Sequence, residues 1–120
     1  MSPLDDFNTD SAMAALGQRA DSRRRLSDKI LAAFNHAYAV GEIDVAQQLK
    51  AALAANEQQG GPFQDMRHGY DPLGEAELWV AFVEARNAYR AVCDSGRHDA
   101  RAIAESLEAM KEAYRVWSAS

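Results

Sequence analysis

Apolar residues recur at alternating intervals of four and three in four stretches of this chain: Leu26, Ile30, Ala33, Ala37 and Val40; Ala46, Leu49 and Leu53; Leu78, Phe82, Ala85, Tyr89 and Val92; and Ile103, Leu107, Met110, Tyr114 and Trp117. That spacing follows the helical period of 3.6 residues and not the two-residue alternation of a strand, so each stretch predicts an amphipathic helix. The fold class expected is all-α.

The punctuation between the stretches sets their order. The first strong helix is expected over 22–40, with Gly41 at the left-handed position that ends helices. Asp44 is the expected N-cap of a second helix reaching Asn56, and a connection this short folds the pair back as an antiparallel hairpin, 22–57. Residues 58–71 form the longest loop, broken by Gly60, Gly61, Pro62 and Gly69. Asp71 before Pro72 marks the next start, a capping carboxylate ahead of a proline suited to the first turn. A third helix follows over 72–93, then a stop at Asp94, Ser95 and Gly96, a new cap at Asp99, and a fourth helix over 100–117, giving a second hairpin, 72–118. Upstream, residues 1–9 read as a flexible segment in which Leu4 and Phe7 allow one helical turn. Ala12 to Leu16 reads as helical, with a break expected near Asp21 or Ser22, so that a short extra N-terminal helix precedes the hairpins. The domain expected is 10–120, two antiparallel hairpins closing into a four-helix bundle or stacking as a short solenoid.

Composition narrows the function classes. Apolar residues are 48% of the 120 positions and charged ones 26%, with 24 alanines, a globular balance that favours closely packed helices. The net charge of −5 argues against nucleic acid or an anionic membrane as general partners. With one cysteine, Cys93, no internal disulfide forms, and no run of 18 apolar residues occurs, so a soluble, cytoplasmic protein is the expectation.

The stretch from Ile30 to Glu57, with Tyr38, Gly41 at the turn, then Ala46 and Leu53, resembles the helix-turn-helix unit of tetratricopeptide-type repeats, which serve as protein-binding scaffolds. Phe34 stands where that unit has a small residue and Lys50 where it has an aromatic one. A step of 34 residues carries Gly41 onto Glu75, so no tandem copy follows. The resemblance is to a way of building a hairpin, and no binding residues are transferred from it.

Catalytic and cofactor patterns are absent from the sequence. No glutamate lies three residues before His36, His68 or His98, as a di-iron bundle requires, and Cys93 with His98 lacks paired ligand spacing. There is no nucleophile elbow, phosphate loop or dinucleotide fingerprint, so no catalytic residue, cofactor or metal is assigned. Surfaces are what is left. Trp79 and Val83 widen the apolar arc of the third helix, which is expected either to sit centrally or to expose them as an interface anchor. Phe63, Met66, Tyr70 and Leu73 recur through the long loop, with Arg67 and His68 at its crest, as a candidate recognition element. Arg23, Arg24 and Arg25 form the one basic cluster, set against Asp21 and Asp28 within helical pairing distance. The expected function is a non-catalytic protein-protein interaction module, adaptor or regulatory, that associates with itself. A metal- or small-ligand-binding bundle using His36, Cys93 or His98, and a nucleic-acid-associated regulator using the arginines, are the alternatives.

Overall fold

The computed structural model describes residues 9–59, 71–96 and 99–120, with side chains from Asp21 onward. Four helices follow one another: α1 (Thr9–Ala39), α2 (Ile43–Gln58), α3 (Pro72–Asp94) and α4 (Ala100–Ala119). Among the described residues no strand occurs, and α1 with α2 and α3 with α4 form two packed hairpins.

Three helix boundaries follow from local chemistry as expected. At the end of α1 the Gly41 N–H donates to the Tyr38 carbonyl (3.2 Å) and the Glu42 N–H to the Ala37 carbonyl (2.9 Å), the paired bonds of a Schellman turn, with Gly41 at φ 87°. Asp71 Oδ1 accepts from the Gly74 N–H at 3.0 Å and Pro72 opens α3. Asp99 Oδ1 accepts from the N–H groups of Arg101 and Ala102 at 3.1 and 3.2 Å, capping α4.

Three expectations are corrected. α1 is one helix of 31 residues, with no break at Asp21 or Ser22 and no separate N-terminal helix within the described residues. Both residues are exposed, so their mid-helix cost is only a few tenths of a kcal/mol each, and no glycine or proline lies between them and Ala39. Asp44 is not the cap of α2: the Schellman turn already returns the chain at Glu42, whose carbonyl accepts from the Ala46 N–H (2.9 Å), and Asp44 falls within the first turn. The buried stripe of α1 is also rotated from the one expected. Ala37 is buried and Ile30 packs on the core as expected, but Leu26 and Val40 are 48% and 59% exposed and Ala33 is exposed, whereas Ser27, Leu31 and Phe34 are buried. α1 packs against both α2 and α3, and the face bearing Leu31, Phe34 and Tyr38 supplies more side-chain volume for two neighbours. The expected flexible segment and long loop lie mostly outside the described residues, at 1–8 and 60–70.

The core draws on three helices: Leu31, Phe34 and Ala37 of α1, Ala46 and Leu53 of α2, and Ala76 of α3, with Ile30, Tyr38, Leu49, Leu73, Trp79 and Val80 packed around them. Three of its six buried members are alanines, one per helix, which lets the backbones approach closely. At the open end of the first hairpin the fully buried Ser27 Oγ donates to Glu57 Oε2 (2.6 Å) and accepts from Asn56 Nδ2 (2.7 Å), which also donates to the Arg23 carbonyl (2.9 Å). Ser27→Ala leaves both partners short of a bond in a partly buried place. It is expected to lower stability by about 1–3 kcal/mol, read as a reduced urea midpoint at unchanged slope.

Cross-helix bonds give the directions. Trp79, Glu84 and Arg86 meet Asn35, Tyr38 and Ala39 in rising order, so α1 and α3 run parallel. α2 folds back on α1 after the turn at Gly41 and pairs Lys50 with Glu77, so it runs opposite to α3. Trp117 lies against Trp79 and Tyr114 against Phe82, in falling order, so α4 also runs opposite to α3. α3 is therefore a shared wall, with α1 and α2 on one side and α4 on the other. α4 packs on α3 and makes no comparable contact with α1 or α2. The hairpins are staggered along the long axis, consistent with extents of 79 × 27 × 19 Å.

Candidate functional site

α4 carries the most complete apolar stripe in the sequence, yet none of its residues is buried. A helix resting on a single neighbour covers only part of its apolar arc. Ile103, Leu107, Met110 and Trp117 are half-covered and Tyr114 stays 51% exposed, while Val116, off this stripe, is 44% exposed.

Four aromatic side chains close a ring across the α3–α4 seam. Trp79 lies 4.7 Å from Trp117 and 5.2 Å from Phe82, Phe82 lies 5.5 Å from Tyr114, and Tyr114 lies 5.7 Å from Trp117, all tilted or edge-on as ring quadrupoles favour. Beside this ring is a groove of about 370 Å³ lined by Phe82, Arg86, Met110, Lys111 and Tyr114. Its floor is apolar, and its two cations come from different helices.

Arg86 ties the groove to the end of α1. Its Nη2 donates to the Ala39 carbonyl at 2.7 Å and to Asn87 Oδ1 at 3.2 Å, while its buried Nε–H has no hydrogen-bond acceptor. The first of these bonds satisfies one of the last carbonyls of α1 and sets a positive charge at the negative end of that helix. Immediately beyond Ala39 the α1–α2 turn presents Val40, Ile43 and Val45, 59%, 41% and 47% exposed, with the exposed carboxylates of Glu42 and Asp44 among them. Further along the seam the Tyr38 hydroxyl donates to Glu84 Oε1 (3.2 Å). Burial, then the negative charges of Glu84 and Glu77, pushes its pKa above the usual tyrosine value.

The candidate residues read from the sequence do not gather in one place. Val83 is 1% exposed, and its role as an interface anchor is corrected: it faces the first hairpin and has no surface to offer. Trp79 is half-buried between hairpins, donating its Nε1–H to the Asn35 carbonyl at 2.8 Å, which supports the central placement of α3 over a free anchor. Arg23 is partly buried in the middle of α1, and Arg24 and Arg25 are exposed, the Arg25 Nε–H donating to the Asp21 carbonyl (3.4 Å). Phe63, Arg67, His68 and Tyr70 lie outside the described residues, as does His98. His36 and Cys93 are exposed, and among the described residues no group of three His, Cys, Asp or Glu side chains is placed to share a metal ion. Sequence reasoning missed Arg86, Lys111 and the turn residues Ile43 and Val45. The available signal was the apolar–acid–apolar run Ile43-Asp44-Val45 beside a tight turn.

No described helix is long and apolar enough to cross a membrane. Comparison with protein-family models, curated proteins and solved structures yields no match to this chain.

Proposed function

We propose that the chain is a non-catalytic protein-binding module that associates with itself. The observation that carries this reading is α4: a 20-residue amphipathic helix with no buried residue, whose apolar stripe is only half-covered and includes Tyr114 at 51% exposure. Such a face gains by being covered, since each apolar Å² removed from water contributes roughly 25 cal/mol. Tyrosine and arginine at its edge are residue types enriched where protein interfaces draw their energy.

Light scattering across a hundredfold range of concentration tests the reading. The apparent mass is expected to climb from 13.2 kDa toward twice that value as concentration rises. A mass fixed at 13.2 kDa over the whole range would remove self-association.

A further inference from the structure

The exposed apolar turn of the first hairpin and the apolar groove of the second are complementary in shape class and in charge. The turn is convex, with Val40, Ile43 and Val45 standing out of it and Glu42 and Asp44 beside them. The groove is concave and apolar, about 370 Å³, with Arg86 and Lys111 at its edge. Among the described residues neither Glu42 nor Asp44 enters a salt bridge, and the bond of Lys111 to Glu108 is a loose exposed one at 3.6 Å. We propose that two copies of this chain pair about a twofold axis, each seating its α1–α2 turn in the α3–α4 groove of the other, with Glu42 and Asp44 facing Arg86 and Lys111.

Within one chain the turn is barred from its own groove. Arg86 pins Ala39, the Schellman turn at Gly41 sends the backbone into α2, and α2 packs on α1 and α3 without comparable contact to α4. The same pin sets turn and groove side by side, because Arg86 both lines the groove and holds the residue before Val40. Adjacent, complementary patches suit an isologous pair, in which one axis seats both turns at once and closes the assembly at two. A chain of net charge −5 repels its copy at long range, so a local contact between opposite charges also selects the register in which the two meet.

The inference rests on the self-association reading, and the experiment separates the two. Sedimentation equilibrium is run on wild type, Ile43→Glu, Lys111→Glu and the double variant Asp44→Lys/Lys111→Glu, with circular dichroism confirming the helices. Val45→Glu replaces Ile43→Glu if that chain misfolds. Wild type is expected at twice 13.2 kDa, each single variant with a dimer dissociation constant at least about tenfold weaker, and the double variant with most of the Lys111→Glu loss restored. If either single variant dimerises as tightly as wild type, the turn-in-groove pairing is overturned while self-association stands. A wild-type mass of 13.2 kDa throughout overturns both.

Discussion

Phe34→Ala is expected to remove about 3–5 kcal/mol of stability, a large fraction of the whole for a domain of this size. Phe34 is 2% exposed and sits where α1, α2 and α3 converge, among Leu31, Ala37, Ala46, Leu53 and Ala76, with its ring stacked on Tyr38 at 5.8 Å. Its neighbours are mostly alanines and leucines on separate helices. Alanines have no side-chain reach with which to refill the space, so the cavity persists and the cost lies toward the upper end. Thermal unfolding measures it, with a fall in midpoint of about 4 °C for each kcal/mol lost. A loss under about 1 kcal/mol would show that the hairpins are joined elsewhere.

The prominence of Phe34 also shows where the sequence was legible and where it was not. The α1 spacing fits a helix in either of two phases, one through Leu26, Ile30, Ala33, Ala37 and Val40 and one through Leu31, Phe34 and Tyr38, and the core takes Ile30 and Ala37 from the first together with the second. Periodicity fixes that a helix forms but not which stripe faces inward when a helix has two neighbours. Ser27 makes the same point, because a serine gives no apolar signal and is buried only through bonds to Asn56 and Glu57, some 30 positions away. Helix ends were readable wherever one residue's chemistry decides them, as at Gly41, Asp71 and Asp99. The continuity of α1 through Asp21 was not, since a capping residue inside a helix costs too little to stop it.

The groove was illegible for a related reason. It arises from the stagger of two hairpins, which leaves α4 with one neighbour, and Arg86 acquires its place from a carbonyl 47 residues away. Such a bond depends on tertiary arrangement and leaves no local pattern. By contrast, the central position of α3 was readable from the width of its apolar arc. Leu78, Phe82, Ala85 and Tyr89 lie on one side and Ala76, Val80 and Val83 on the other, more surface than one neighbour covers.

Trp79 lies where those two arcs meet, and Trp79→Ala is expected to cost about 3 kcal/mol. The indole packs against the core of the first hairpin, donates to the Asn35 carbonyl at 2.8 Å, and meets Trp117 of the second hairpin in a tilted pair at 4.7 Å. Two substitutions separate these contributions. Trp79→Phe keeps a ring at the seam and loses the hydrogen bond, at about 1 kcal/mol. A double-mutant cycle of Trp79→Ala with Trp117→Ala is expected to return a coupling of about 0.5–1.5 kcal/mol for the ring pair, with urea unfolding as the readout. Zero coupling would mean that α4 is held by its other contacts alone. Because Trp79 touches both hairpins, its loss should weaken self-association only as far as it loosens α4 on α3. In the Trp79→Ala variant any lost dimer is therefore expected to track lost monomer stability, whereas Ile43→Glu is expected to weaken the dimer at least about tenfold and yet unfold at the wild-type midpoint when both are compared at concentrations dilute enough to be monomeric.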